Sequence, residues 1–170
     1  MIPTLHTDRL TLRALRGDDF PALAAFYESE RSHFVGGPKR PDETWRMLAT
    51  EIGHWTLRGY GRFGVEERES GAFCGIVGPW YPEAWPEEEI GWDLMNGFEG
   101  KGYATEAGRA ALDWCYADLG WRTAISLVAK GNDGSAAVAK RMGATWEREF
   151  THPMFGTMDV YRHAGPEYAA

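Results

Sequence analysis

The sequence predicts an α/β protein of the α+β kind: one mixed, mostly antiparallel, twisted sheet of about seven strands flanked by about four helices, with residues 1–170 as a single domain. Three observations predict it. Short segments of period-two apolar alternation recur between turn residues; some lie close enough to close antiparallel hairpins; and helical stretches interrupt them in the order β-α-α-β-β-β-α-β-α-β-β, with only local crossovers. The chain has 170 residues, of which 44% are hydrophobic and 14% aromatic, enough to fill one core. Against 25 Asp and Glu stand 18 Lys and Arg, a formal net charge of −7 that sets nucleic acid aside as a partner, since backbone phosphates are held by clustered cations. No run approaches the roughly 18 apolar residues of a membrane span, and residues 1–16 lack a cationic start followed by an apolar stretch and cleavage site, so a cytoplasmic protein without a membrane partner is expected. Cys74 and Cys115 sit in apolar runs and supply neither a disulfide framework nor a zinc-ligand spacing.

Taken in order, residues 7–13 alternate Leu10 and Leu12 with polar neighbours, a strand that ends at Gly17-Asp18-Asp19. Residues 19–28 repeat Phe20, Leu23, Ala24 and Tyr27 at helical intervals, with Pro21 in the first turn. Residues 31–41 hold Ser32, His33, Gly36, Gly37 and Pro38, which break both periods and predict a mobile surface loop, a substrate lip in prospect. Asp42 is expected to cap a second helix carrying Trp45, Leu48, Ile52, Trp55 and Leu57. Segments 62–67 and 73–77 flank the Glu69-Ser70-Gly71 turn as a hairpin, and 80–86 is a Pro-rich aromatic loop. An unbulged strand over 87–94 puts Glu87, Glu89, Gly91 and Asp93 on one face, Glu88, Ile90, Trp92 and Leu94 on the other. A glycine loop at 96–102 leads into a helix over 103–119; a strand at 122–128, a helix at 132–142 and strands at 144–150 and 154–163 complete the chain.

Chemistry is concentrated at Glu99-Gly100-Lys101-Gly102-Tyr103-Ala104-Thr105. Glycines let backbone amides approach a ligand, and the helix start behind them leaves N–H groups without internal partners in a positive dipole field. A diphosphate suits Gly100 to Thr105, with Lys101 adding a full charge. The Walker pattern is excluded because no Gly-Lys-Ser or Gly-Lys-Thr follows, and a dinucleotide fold because its third glycine and βαβ acid are missing.

These residues resemble the GNAT superfamily of acyl-CoA-dependent N-acyltransferases, whose cofactor loop reads Gln or Arg, two residues, Gly, one residue, Gly or Ala; here the positions are Glu99, Gly102 and Ala104. The string from Glu99 to Ala107, with Glu89-Ile90-Gly91-Trp92 upstream and Thr7 to Arg13 at the start, looks most like the branch of ribosomal-protein N-terminal alanine acetyltransferases. A second match runs from Asn132 through Ser135, Val138 and Lys140 to Met142-Gly143. The resemblance implies acetyl-CoA as cosubstrate, no metal, and contacts from Leu94 and Met95, from Gly100 through Thr105, and from Asn132. Two positions depart from the family pattern. Glu99 replaces the Gln or Arg, so binding is expected to rest on backbone amides and Lys101. Ala139 stands where many members place a Tyr acid seven residues after the Asn, which leaves Ser135 as substitute acid or as a simple helix residue.

The implied reaction is attack by an uncharged primary amine on a thioester, with the oxyanion received by a backbone N–H near Leu94. At pH 7 about one α-amine in ten is uncharged, but only about one lysine amine in 2,500, so a base matters. Glu89 is the candidate base, with Asp93 as runner-up. Trp80, Trp85 and His33 are possible walls of the acceptor pocket; His33, His54 and His152 lack partners at metal-ligand spacing. The acceptor is either a peptide or protein N-terminus or a small amine, and a monomer or homodimer is expected. The rival reading is a coenzyme A-binding sensor or scaffold domain without turnover.

Overall fold

In the computed structural model residues 1–166 are described. Eight strands form one sheet in the order β1-β2-β3-β4-β5-β6-β8-β7. The strands are β1 (Leu5–His6), β2 (Leu10–Arg13), β3 (Phe63–Glu67), β4 (Phe73–Trp80), β5 (Glu89–Leu94), β6 (Ile125–Ala129), β7 (Thr145–His152) and β8 (Gly156–Arg162). The helices are α1 (Phe20–Glu28), α2 (Pro41–Arg58), α3 (Tyr103–Asp118) and α4 (Asp133–Arg141). Every neighbouring pair is antiparallel except β5 and β6, whose parallel pairing requires the crossover that α3 supplies. The mixed, mostly antiparallel sheet is the one expected, with β1 as an additional two-residue strand too short to show a period.

Several boundaries differ for physical reasons. Residues 31–41 are not an open loop: Glu30–Val35 winds into a 3-10 segment, with the Ser32 hydroxyl buried and donating to the Tyr27 carbonyl (3.1 Å). Asp42 does not cap α2. Arg40 stands at the cap, its amide donates to Glu43 (2.9 Å), and Asp42 pairs with Arg40 and Arg46 instead. β4 runs on to Trp80, which places that residue on a strand end.

Alternation along β4 sends Ile76 and Val77 to opposite faces. Val77 joins Leu10, Leu12, Phe63 and Val65 under Ala107 and Ala111 of α3, while Ile76 joins Leu23, Phe26, Tyr27 and Leu48 of α1 and α2. Burying each such aliphatic side chain stabilises the fold by about 1.5–3 kcal/mol. Among the described residues no helix is long and apolar enough to cross a membrane.

The feature that positions the site is a splay between β5 and β6. They register at Glu89↔Ile125 alone and then diverge. Side chains fill the seam near its start: the Ser126 hydroxyl donates to the Ile90 carbonyl (2.6 Å), and the Leu127 amide donates to the Glu89 carboxylate (3.0 Å). Behind Ser126, fully buried His163 contacts its hydroxyl through Nε2 (2.8 Å), while Nδ1 has no partner. Burial lowers the His163 pKa from 6.5 to about 4, the Arg162 charge adding to it. The folded state therefore binds fewer protons than the unfolded chain between those values, so this contribution is complete above about pH 6.5 and is lost as pH falls toward 4. Up to about 3 kcal/mol is at stake. Urea unfolding of wild type and His163→Phe from pH 4 to 8 should show the wild type losing more stability on acidification; parallel curves would contradict this.

Candidate active site

Two cavities meet at the splay. The first, about 1110 Å³, runs along the start of α3 and the exposed side of α4. Its floor is built by the glycine loop. Gly100 (φ 76°) and Gly102 (φ 81°) take left-handed conformations that suit glycine, and Gly102 is the cap residue of α3. The first amide to bond back is that of Glu106, to the Gly102 carbonyl (3.0 Å), so the amides of Tyr103, Ala104 and Thr105 head the helix without intrahelical acceptors. Arg9 fixes the loop from outside: it donates to the Lys101 carbonyl (3.0 Å) and pairs with Glu106 (2.7 Å), which also receives the Thr7 hydroxyl (2.6 Å). Arg31, Lys101, Arg109 and Arg141 line the same cleft. Glu99 turns onto the Gly97 amide (2.8 Å) and toward Arg31 (3.5 Å), and these contacts accompany a carboxyl pKa below the ordinary value. Its own backbone amide is the leading cause of that shift.

The second cavity, about 640 Å³, lies between β5, the 3-10 segment, the loop after β4 and the β7–β8 turn. Its polar interior is an ion cluster. Arg62 donates to Asp93 (2.8 Å) and, through Nε (3.2 Å) and Nη2, to Glu51, while the Tyr27 hydroxyl donates to Asp93 (2.9 Å). Nearby, Glu89 is 6% exposed and accepts from the Leu127 amide through one oxygen and from the Trp85 indole (2.5 Å) through the other. Burial raises its pKa from 4.5 to about 7, against the pull of those two donors and of Arg62; the Asp93 charge adds to the rise. Trp92, Asp93, Asn132 and Ser135 line both cavities.

Of the residues expected from sequence, Leu94, Gly100, Lys101, Gly102, Tyr103, Ala104, Thr105 and Asn132 line the first cavity, and Glu89, His33, Trp80, Trp85 and Asp93 the second. Met95 lines neither. It is buried against Ile76 and Phe26, its amide donates to Cys74 (3.0 Å) and its carbonyl accepts from Phe98 (3.2 Å), so its side chain and amide are turned to the core and β4. Asn132 caps α4 by accepting from the Ser135 amide (3.2 Å). The Ser135 hydroxyl accepts from the Trp92 indole (3.0 Å). Ala139 is fully buried against Val128 and Tyr161, so the seventh residue after Asn132 faces the core; Gly134, Ser135 and Val138 face the cleft. Trp80 stacks on His54 at 4.5 Å and beneath Arg62 at 5.1 Å. Tyr27, which the sequence marks only as an apolar helix position, and Glu51 and Arg62 are not expected at the site from sequence, although Glu51 sits within the apolar stripe of Leu48 and Trp55, where an acid is out of place.

The first cavity fits a diphosphate carrier. Free helix-start amides are joined there by Thr105, a cleft residue whose buried hydroxyl has no hydrogen-bond partner. Among the described residues, no group of three His, Cys, Asp or Glu side chains is placed to hold a metal ion. A glycine-capped helix stands beside two splayed parallel strands with a carboxylate at the gap, the arrangement expected from the resemblance to acyl-CoA-dependent acetyltransferases. Residues 9–145 match the family model described as the acetyltransferase (GNAT) domain, and the chain belongs to that family. It is 30% identical to the YkkB protein of Bacillus subtilis over 154 residues, covering 85% of this chain and 86% of that one. An acetyltransferase crystal structure from Agrobacterium tumefaciens str. C58 superposes with a TM-score of 0.88 at 40% identity, covering 96% of this chain and 95% of that chain. RimL, a ribosomal L7/L12 alpha-N-protein acetyltransferase in complex with coenzyme A, gives 0.76 at 21% identity over 95% of this chain and 98% of its own; at that identity the likeness is one of fold.

Proposed function

We propose that the first cavity holds acetyl-CoA, that the second admits a primary amine, and that Glu89 takes the proton from it. The observation that carries this reading is the meeting of the two cavities beside a buried carboxylate whose pKa is pushed up to about 7. A base poised near neutrality is matched to its task. The coenzyme supplies the acetyl thioester. The chain supplies the rest: the amides from Gly100 to Thr105, the Thr105 hydroxyl and Lys101 bind the phosphates, and Glu99, turned away, adds little repulsion.

The Leu94 amide is the group for the acyl oxygen. Because Met95 donates to β4, alternation points the Leu94 amide away from β4 into the gap that β6 leaves. Ser135 accepts from Trp92 and keeps its own proton free for the departing thiolate, a group whose modest basicity asks for little help. Asp93, engaged by Arg62 and Tyr27, serves to position the cluster rather than to take a proton.

Release of free thiol from acetyl-CoA with a panel of primary amines tests the reading. Heat on adding CoA without turnover on any amine would favour the sensor alternative. Gly102→Val puts a β-branched side chain at φ 81° with its Cβ 3.5 Å from Arg9 Nη2. It should weaken CoA at least tenfold by calorimetry while the protein stays folded; unchanged affinity would remove the glycine loop from phosphate binding.

A further inference from the structure

The second cavity also says what kind of amine fits, an inference that rests on the acetyl-transfer reading above. Its volume of about 640 Å³ lies in the range of small-molecule sites. One edge of the cavity is narrowed by an aromatic contact. Phe155, on the β7–β8 turn, packs on Gly36, where an added Cβ would come within 3.1 Å of the ring. The same ring lies 5.8 Å from Trp85 and 4.9 Å from His152, centroid to centroid. Two segments far apart in the chain thus touch at the edge of the cavity, which narrows the room for the second and third residues of a polypeptide entering by its N-terminus.

The lining has two chemistries. Tyr27, Phe34, Trp80, Trp85, Trp92 and Phe155 make an aromatic wall, which attracts apolar bodies and, through the ring faces, ammonium groups. The interior charges are Glu51, Glu89 and Asp93 against Arg62, and the Arg62 guanidinium is already directed at Glu51 and Asp93. Of the two lysines in the lining, Lys130 pairs with Glu149 and Asp159 (both 2.6 Å), while Lys39 donates to the Gly36 carbonyl (2.6 Å) and keeps its charge. Of these acids Glu51 and Asp93 are paired with Arg62, so a substrate carboxylate would face Glu89, with Lys39 as the lining cation that has no acidic partner among the described residues, whereas an ammonium would meet Glu89 and the ring faces.

We infer that the acceptor is a compact primary amine with an aromatic or other apolar body and no acidic group, rather than an amino acid or a polypeptide N-terminus. The test pairs 2-phenylethylamine with phenylalanine, which differ by the carboxylate alone, and adds a tetrapeptide beginning with alanine; thiol release and CoA calorimetry are read in parallel. The expected kcat/KM for 2-phenylethylamine exceeds both others at least 100-fold. In Phe155→Ala the ratio of peptide to amine activity should rise at least tenfold, with CoA affinity unchanged. Phenylalanine or the peptide matching the amine would overturn the inference and leave acetyl transfer standing, as would thiol release with neither amine nor peptide while CoA still binds and other acceptors turn over. Absence of CoA heat would instead sink the functional reading beneath it.

Discussion

Glu89→Gln is expected to lower kcat by 10²–10⁴-fold while CoA still binds, the range typical of removing a general base. The wild-type rate should rise as pH passes about 7, where the carboxyl sheds its proton, and level off above; the variant should lack that inflection. The sign follows from the role: a base works only when ionised, and burial has moved ionisation up from 4.5. Glutamine is not a silent replacement here. Both Glu89 oxygens accept from N–H donors, Leu127 and Trp85, so an amide NH₂ must face one of them. Some loss of stability is therefore expected beside the loss of rate, and calorimetry with CoA separates the two. A variant rate within threefold of wild type, with the inflection intact, would remove Glu89 from the role of base.

Arg62→Met should cost the fold roughly 3–5 kcal/mol, the scale of removing one partner from a buried ionic cluster. Glu51 and Asp93 would remain, each about 95% or more buried, without the cation they share. Burial by itself would lower the Arg62 pKa, but the two carboxylates more than offset it and hold the guanidinium well above its ordinary value. Urea unfolding at pH 7 measures the deficit, and a loss under 1 kcal/mol would show that the cluster contributes little.

What could be read in the sequence was whatever depends on near neighbours. The alternation of Leu10 and Leu12, the helical repeat of Leu23 and Tyr27 and the glycines ahead of Tyr103 each fix local geometry, and the strands, helices and loop followed. Glu89 and Asp93 share the second cavity because they sit four residues apart on one strand. What escaped depends on partners distant in the chain. Arg62 precedes a strand and gives no sign that Glu51, on a helix, and Asp93, two strands away, converge on it. Met95 follows Leu94 by one residue and so points its amide the opposite way, into the β4 ladder. Ala139 was placed by counting from Asn132, whereas the apolar contacts with Val128 and Ala144 set the rotation of α4 and turn that position inward.

The splayed strands also bear on the order of events. The two cavities share Phe34, Val35, Trp92, Asp93, Asn132 and Ser135 and differ in the rest of their lining, so on the proposed reading carrier and acceptor occupy adjoining spaces and neither must vacate for the other to arrive. Cys74 and Cys115 are buried outside both cavities, and no thiol of the chain stands between the reactants to take the acyl group in transit. On the proposed reading, both molecules reside at once and the acetyl group passes in a single handover across the gap.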